Sequence, residues 1–194
     1  MITPSHVVIN AYIGRRPALA ERFDHRDRTI FAIGGIAPDI ALYVLNAAAL
    51  IYYPLFDDMS IYDAHQKAMD DLFFNSPWWI VSHNLLHAPI LLAAMIAIAW
   101  LLGSWWALRV GVLAAGALLH SVIDIAVHHD DGPLLLFPFS WSIRFESPVS
   151  YWDPAHFGWL MRPIDLAITL AGVIWFVRHR RANHRKRSVN TVSA

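Results

Sequence analysis

His120 and Asp124 are the residues of this sequence whose types and spacing most directly suggest chemistry. They lie four residues apart in a largely apolar run, residues 110–127. Four residues is just over one helical turn, so on a helix both side chains project from one face and could bind the same metal ion. At the centre of a membrane-spanning helix a carboxylate costs about 3 kcal/mol and normally has a partner. We therefore expect other polar side chains to meet this pair.

Further His and Asp residues could be those partners. His83 and His87 are also four residues apart, directly before an apolar run, and Asp39 follows Pro38 within another. The sequence has no cysteine, so a metal ion must be held by imidazole, carboxylate or backbone oxygen. Imidazole mixed with carboxylate suits zinc, manganese or iron better than calcium or magnesium. The expected cofactor is one or two divalent ions, with zinc as the first choice.

The composition is that of a membrane protein. Of the 194 residues, 57% are hydrophobic and only 15% are charged, and nine are Trp. A chain of this length has room for one domain with about four spanning helices. We expect a single membrane-embedded domain over residues 1–187, a disordered C-terminal tail over residues 188–194, and the lipid bilayer as the first partner.

Four long apolar runs predict the spanning helices, and a tight turn between the second and third predicts an antiparallel hairpin. Thr3-Pro4 predicts the start of a short N-terminal helix that ends at Gly14. The expected fold is an all-α integral membrane helical bundle of about four spanning helices, with this short helix packed into it. The runs cover residues 29–53, which Pro38-Asp39 interrupts, 89–102, 110–127 and 158–177.

Charge is segregated along the chain. Basic residues precede the first run, occupy the turn between the second and third, and follow the fourth, whereas the two long loops, residues 54–82 and 128–157, are acidic. The positive-inside rule then predicts four crossings with both termini in the cytoplasm. A basic cluster beside a membrane more commonly faces anionic lipid than nucleic acid, so no nucleic-acid partner is expected.

A helical rise of about 1.5 Å per residue places several polar side chains at one depth. On this scale His120 and Asp39 each lie about 16 Å from the basic side of the bundle. His6 reaches the same depth if the short helix dips into the bundle and returns at Arg15. The predicted layer, open to the acidic side, contains His6, Asp39, His87, His120 and Asp124, with His83 at its rim.

A layer of His and Asp side chains that binds one or two metal ions predicts a hydrolytic site. Asp124 could bridge two ions, and two ions about 3.5–4 Å apart are a standard device for phosphoester cleavage. Zinc-bound water has a pKa of about 7, so the site could form its nucleophile without Ser or Cys. His83 or His128 would be the proton shuttle. A lone intramembrane His more often bonds another helix, and Pro38-Asp39 could equally be a capped helix break.

The order of these motifs resembles that of a known family, the inner-membrane metal-dependent hydrolases, which are distantly similar to zinc-dependent phospholipase C and the S1/P1 nucleases. The resemblance spans most of the chain. It implies hydrolytic activity, a bacterial-type inner membrane, and metal ligation by His6, Asp39, His83 or His87, His120 and Asp124. The matching residues are Thr3, His6, Pro38, Asp39, His83, His87, His120, Asp124 and the segment Leu136-Phe-Pro-Phe139.

The predicted function is a membrane-bound metal-dependent hydrolase of phosphoesters or lipid headgroups, acting through a metal-activated water on a small-molecule or lipid substrate. Two other classes remain open. A b-type haem electron carrier could hold haem between His87 and His120, although the carboxylates contribute nothing to such a site. A non-enzymatic metal-binding or transport protein could use the polar layer as an ion path or as helix-to-helix contacts.

Overall fold

The computed structural model describes the backbone of residues 1–192 and the side chains of residues 1–179 and Arg181. Over that part of the chain it contains helices, turns and loops but no strand, which confirms the all-α class. A π-helical segment, Lys67–Leu72, follows α5, and a single 3-10 turn, Pro154–His156, precedes α10. The α-helices are α1 (Thr3–Ile13), α2 (Pro17–Ala20), α3 (His25–Gly34), α4 (Ala37–Phe56), α5 (Ile61–Gln66), α6 (Phe73–Asn75), α7 (Pro77–Asn84), α8 (Pro89–Leu102), α9 (Trp105–Val127) and α10 (Gly158–Val192).

Three of these helices are each long and apolar enough to cross a membrane. They are α4, α9 and the first part of α10, Gly158–His179. Helices α7 and α8 make a fourth crossing if they are counted as one span, bent by 45° at the break that contains His87. The described residues therefore form a membrane protein with three spans, or four with the bent pair.

Helices α8 and α9 form the predicted antiparallel hairpin. Gly103 ends α8 in the left-handed conformation, with φ of 60°, which glycine adopts without strain. Buried Leu92 on α8 packs against Ala114 and Ala117 on α9. This contact fixes the helix that carries His120 and Asp124.

The first apolar run breaks slightly earlier than the sequence predicts. Helix α3 ends at Gly34 and α4 begins at Ala37, so the interruption is at residues 35–36 rather than at Pro38-Asp39. Pro38 lies in the first turn of α4, where its missing N–H has no hydrogen bond to lose. As a result Asp39 stands in the first turn of α4, at the depth of the polar layer.

Helix α1 dips into the bundle and returns toward the basic side. The amide nitrogen Nδ2 of Asn10 donates to the backbone carbonyl of Phe31 on α3 at 3.0 Å and to that of Gly116 on α9 at 2.9 Å. Below Asn10, the guanidinium of Arg15 lies 5.8 Å from the ring of Trp175 on α10. This course brings His6 to the layer that contains His120.

Helices α3 and α9 cross at very short range through two glycines. A Cβ atom on Gly116 would lie 2.3 Å from the carbonyl oxygen of Phe31, and one on Gly34 would lie 2.7 Å from the Cα of Gly116. Both separations are shorter than any carbon atom tolerates, so this crossing requires glycine. It brings the backbone of Gly35 next to His120.

The acidic segment between α4 and α7 is folded rather than extended. Helix α5, the π-helical segment and α6 pack back on α4, where Ala49, Ala68, Phe73 and Trp79 form a buried cluster. Residues 128–157, the other acidic segment, form a loop beside them. These two segments surround the entrance to the polar layer.

Met1 lies inside the bundle, with its amine 2.8 Å from Oδ1 of Asp124. Helix α1 therefore starts in the polar layer and runs from there toward Arg15. The orientation of both termini toward the cytoplasm stays a prediction. The predicted disordered tail, residues 188–194, lies outside the described side chains, so that prediction and the domain boundary at residue 187 stay untested.

Candidate metal centre

The carboxylate of Asp124 lies in the middle of the polar layer, where only 3% of the residue is exposed. Its Oδ2 lies 3.1 Å from Nε2 of His87 and 3.0 Å from Nε2 of His120. Its Oδ1 lies 2.9 Å from Nε2 of His6 and 3.4 Å from Nε2 of His128. One carboxylate thus contacts imidazoles from α1, the break between α7 and α8, α9, and the end of α9.

Asp39 completes a compact group of four possible ligands. Asp39, His87, His120 and Asp124 each offer one atom, and these atoms lie within 4.8 Å of one another. Oδ1 of Asp39 is 3.5 Å from Nε2 of His120. Ligand atoms that bind one tetrahedral zinc at 2.0–2.1 Å are about 3.3 Å apart. The contacts that join these residues, 3.0 to 3.5 Å, are close to that value, so the group can hold a metal ion.

The tautomer of His120 is fixed by the backbone of Gly35. Nδ1 of His120 lies 3.0 Å from the carbonyl oxygen of Gly35. A carbonyl only accepts, so Nδ1 carries a proton and donates it, as metal-binding His residues normally do. Nε2 then faces Asp39 and Asp124 and, within the described structure, has no hydrogen bond of acceptable geometry. A cation between Nε2 and the two carboxylates satisfies all three groups.

His6 lies against the opposite side of this ring. Its imidazole stacks on that of His120 with centroids 3.7 Å apart and planes 21° apart, and it is fully buried. Burial lowers the pKa of His6 and outweighs the opposing effect of the nearby Asp124 carboxylate. The ring is therefore held neutral, which is the form that binds a metal ion.

A second set of contacts positions the possible ligands. The hydroxyl of Thr3 donates to Oδ2 of Asp39 and is 2.6 Å from the hydroxyl of Tyr43. The hydroxyl of Ser121 donates to the backbone carbonyl of His87. Contacts of this kind orient ligands and raise metal affinity.

His128 connects the polar layer with the acidic loop. Its Nδ1 lies 2.9 Å from Oδ1 of Asp131, and Nε1 of Trp152 donates to Oδ2 of Asp131 at 2.9 Å. Burial alone lowers the pKa of His128, but its close contacts with the carboxylates of Asp124 and Asp131 outweigh burial and raise the pKa. Burial raises the pKa of Asp131, but its contact with His128 lowers it overall. The two carboxylates therefore favour the charged form of His128.

The structure places His83 beside the four-residue group rather than within it. Its ring centroid is 4.4 Å from that of His87 and 5.0 Å from that of Phe73. Only 5% of His83 is exposed, and its Nδ1 has no hydrogen-bond partner within the described part of the chain. This is the rim position that the helical rise predicts.

A cavity of about 270 Å³, called the inner cavity below, leads to the layer. Neither His6 nor His120 lines it, so a small molecule in it meets Asp124 from the side of His87 and His128. The remaining wall is mostly apolar and aromatic, with Asn46, His65 and Asp131 as polar members. Its residues include Leu42, Tyr43, Met69, Phe73, Pro133 and Tyr151.

Sequence reasoning missed several contacts of the site. Asp131 could be found from its i,i+3 spacing to His128, and Tyr43 from its position one turn after Asp39. The approach of the Met1 amine to Asp124 has no local sequence signal. Asp165 is also buried, but it lies outside the group and accepts the backbone N–H of Ile2 at 2.9 Å.

Comparison with known proteins gave no relative on which to base a function. A scan against protein-family models, a search of curated proteins and a search of solved structures each returned no match. The site is therefore interpreted from its own geometry.

Proposed function

We propose that this protein is a membrane-embedded metal-dependent hydrolase that cleaves phosphoesters, including those of lipid headgroups. The observation that carries the proposal is the position of the Asp124 carboxylate. Oδ2 faces the Nε2 atoms of His87 and His120, and Oδ1 faces those of His6 and His128 and the Met1 amine, which a second ion would displace. A carboxylate shared in this way fits a pair of ions, which is a common arrangement in phosphoesterases.

Zinc is the ion that the donor set fits best. The possible ligands are imidazole and carboxylate groups, and Nε2 of His120 lies 3.5 Å from Asp39 and 3.0 Å from Asp124, close to the spacing of ligand atoms around a tetrahedral zinc. Calcium and magnesium prefer sites made of oxygen atoms, whereas manganese and iron also accept imidazole. Manganese and iron are therefore the alternatives to zinc.

Different residues of the polar layer would have different roles in such a site. When bound, the ions would supply an acidified water as the nucleophile and stabilise negative charge in the transition state. Asp39, His87, His120 and Oδ2 of Asp124 would hold one ion, and His6 with Oδ1 of Asp124 would hold the other. His128 is positioned to exchange a proton with the inner cavity.

His83 is the second candidate for proton transfer. It lines the inner cavity and leaves Nδ1 without a partner among the described residues. An imidazole in that position can donate a hydrogen bond to a substrate oxygen or a proton to a leaving group.

We further propose a bacterial-type inner membrane with the inner cavity open to the periplasm. Arg15, Arg28 and Arg109 stand at the opposite end of the bundle from the acidic loops, as the positive-inside rule requires of a cytoplasmic face. The C-terminus would lie on the same cytoplasmic face.

The geometry does not favour the haem alternative. The rings of His87 and His120 are in edge contact, with centroids 4.8 Å apart, and both Nε2 atoms lie against Oδ2 of Asp124. A haem must fit as a plane between its two axial ligands, and these rings leave no gap for it. A non-enzymatic metal-binding or transport role is an outcome of the experiment below.

The experiment combines elemental analysis with turnover. The purified wild-type protein is expected to contain one or two zinc ions per chain and to hydrolyse a chromogenic phosphodiester. Asp124→Ala and His120→Ala are expected to lose both the ion and the activity. Asp165→Asn is the matched control, because it alters a buried carboxylate of a spanning helix that does not contact the group.

The two measurements separate the alternatives. Bound metal without hydrolysis of any phosphoester tested would reject the enzyme and favour a metal-binding or transport protein. A wild-type protein that contains no metal, even after incubation with zinc, would reject the site itself.

A further inference from the structure

A second cavity, of about 400 Å³ and called the outer cavity below, adjoins the inner one. The two cavities share part of their walls, including Met69, Phe73, Asp131 and Tyr151. The two cavities are therefore immediate neighbours, and a ligand bound beside Asp124 lies close to the outer cavity.

The outer cavity combines aromatic faces with carboxylates. Phe73, Phe74, Tyr151 and Trp152 contribute the rings, and Asp70, Asp130 and Asp131 contribute the carboxylates. Aromatic faces attract cations through the negative charge of the ring face, and nearby carboxylates strengthen that attraction. This combination is how proteins bind amines and quaternary ammonium groups.

The charges around the outer cavity are negative overall. Among its described lining residues it has three carboxylates and no Lys or Arg. Two cationic groups lie nearby: His128, which is 2.9 Å from Asp131, and Arg144, whose guanidinium lies 5.5 Å from the ring of Phe74 and interacts electrostatically with Asp130 and Asp131. Three carboxylates against two cationic groups leave a net negative charge, which favours a cation over an anion at this end.

The inner cavity has its own indication of a polar ligand. His83 lines it, is 5% exposed, and leaves Nδ1 unpaired within the part of the chain that the structure describes. A buried imidazole without a partner costs free energy unless a ligand supplies the missing hydrogen bond. The polar end of a ligand therefore belongs beside His83, and the other end reaches the outer cavity.

We propose that the outer cavity binds the positively charged end, an amine or a quaternary ammonium, of a phosphoester whose phosphate lies at the metal centre. The part of this proposal that concerns the phosphate rests on the proposed function. The part that concerns the ammonium group rests only on the outer cavity. The same chemistry occurs in soluble phosphate esters of amino alcohols and in zwitterionic lipid headgroups.

The test compares two probes of nearly equal shape. Phosphocholine carries a quaternary ammonium, whereas 3,3-dimethylbutyl phosphate carries an uncharged tert-butyl group in its place. Binding to the zinc-loaded protein in an uncharged detergent is measured by calorimetry. Phosphocholine is expected to bind about tenfold more tightly, since a cation over aromatic rings gains that order of affinity.

Variants locate the effect in the outer cavity. The double variant Asp70→Asn/Asp130→Asn and the variant Trp152→Leu are expected to lower affinity for phosphocholine but not for 3,3-dimethylbutyl phosphate. Trp152→Phe should retain most of the affinity, because it keeps an aromatic face and loses only the hydrogen bond to Asp131. Asp57→Asn is the matched control, since Asp57 is an exposed carboxylate outside both cavities.

Further measurements separate this proposal from the hydrolase proposal. Tetramethylammonium should bind even after metal is removed with a chelator, and the double variant should abolish that binding. This result would support the ammonium site even if no phosphoester were hydrolysed. Equal affinity for the two phosphate probes, or tetramethylammonium binding that the double variant leaves unchanged, would overturn the proposal.

A last comparison identifies the source of the ammonium group. Vesicles of phosphatidylcholine that displace phosphocholine, where vesicles of phosphatidylglycerol do not, would assign the site to a lipid headgroup. If neither kind of vesicle displaces it, the site takes a soluble phosphate ester. Either result is consistent with an ammonium-binding site in the outer cavity. Displacement by phosphatidylglycerol vesicles alone would contradict it.

Discussion

Nδ1 of His120 donates to the backbone carbonyl of Gly35 across 3.0 Å, and this contact joins the helix that carries Asp124 to the start of the helix that carries Asp39. It fixes which nitrogen of His120 faces the carboxylates. The contact exists only because α3 and α9 approach each other through Gly34 and Gly116. The chemistry of the candidate centre therefore depends on a helix crossing several residues away.

Gly116→Ala is expected to destabilise the protein by about 2 kcal/mol and to weaken metal binding. The added methyl group would lie 2.3 Å from the carbonyl oxygen of Phe31, so α3 must move away from His120. Thermal unfolding and zinc titration measure the two effects. Gly132→Ala is the control, because its nearest contact would be 3.4 Å, to Cβ of His128. Equal zinc affinity in both variants would contradict the dependence on the crossing.

Thr3→Val is expected to lower zinc affinity about 10- to 100-fold, the usual effect of losing a contact that orients a ligand. The substitution keeps the shape of the side chain but removes the hydroxyl that donates to Asp39. Thr3→Ser restores the hydroxyl and should restore the affinity. Competition with a chromogenic chelator gives the constants. A Thr3→Ser protein as weak as Thr3→Val would assign Thr3 a packing role instead.

His6→Ala is expected to remove one of two bound ions, whereas His120→Ala is expected to remove both. Nε2 of His6 lies beside Oδ1 of Asp124, whereas Nε2 of His120 lies beside both Oδ2 of Asp124 and Oδ1 of Asp39. Elemental analysis of the purified variants gives the ratio of metal to chain. The two-ion arrangement would be wrong if the wild-type protein and His6→Ala contained the same amount of zinc.

Asp131→Asn is expected to lower the pKa of His128, because it removes one of the two carboxylates that raise it. Histidine NMR signals of the metal-free protein report this pKa.

The ion pair between His128 and Asp131 also makes the free energy of unfolding depend on pH. The contribution of His128 is fully present below its usual pKa of about 6.5 and is lost as the pH rises through its raised value in the folded protein. The contribution of Asp131 is present above its usual pKa of about 3.9 and is lost as the pH falls through its lowered value.

The stability lost in Asp131→Asn should therefore be largest between about pH 4 and pH 6.5 and should shrink above that range. Unfolding at a series of pH values measures the difference from wild type. Glu146→Gln, on the same loop but outside both cavities, is the control. A difference that grew steadily above pH 7 would have the wrong sign for this ion pair.

The orientation in the membrane can be tested directly because the sequence contains no cysteine. A single cysteine at Asp63 should react with a membrane-impermeant maleimide added to intact cells. One at Glu21 should react only after the membrane is permeabilised. The reverse pattern would place the cavities on the cytoplasmic side.

Most of the fold follows from the distribution of apolar residues. Long apolar runs predict α4, α9 and α10, and the glycine turn at residue 103 predicts the hairpin of α8 and α9, as the structure shows. The break in the first run is misplaced by a few residues, because Pro38 can either end a helix or begin one. Helix rise also predicts the common depth of His6, Asp39, His87, His120 and Asp124, which the structure brings together. Their metal-binding role stays a prediction.

The parts that could not be predicted depend on contacts between distant segments. Nothing near Thr3 or Tyr43 in the sequence shows that their hydroxyls meet. The sequence does not predict the outer cavity either, because its walls come from residues 65–74 and 130–152, which are far apart in the chain. Helical periodicity gives the depth of a side chain, but the partner that it meets is decided by how the helices pack.

The amide of Asn10 donates to backbone carbonyls of two different helices. Because both acceptors must already be adjacent, α1 can gain these hydrogen bonds only after α3 and α9 have packed in the bilayer. His6 is on the same helix and reaches Asp124 by the same movement. Biogenesis would then end with the docking of α1, so that a chain still being inserted has no complete centre and captures no ion before its helices are assembled.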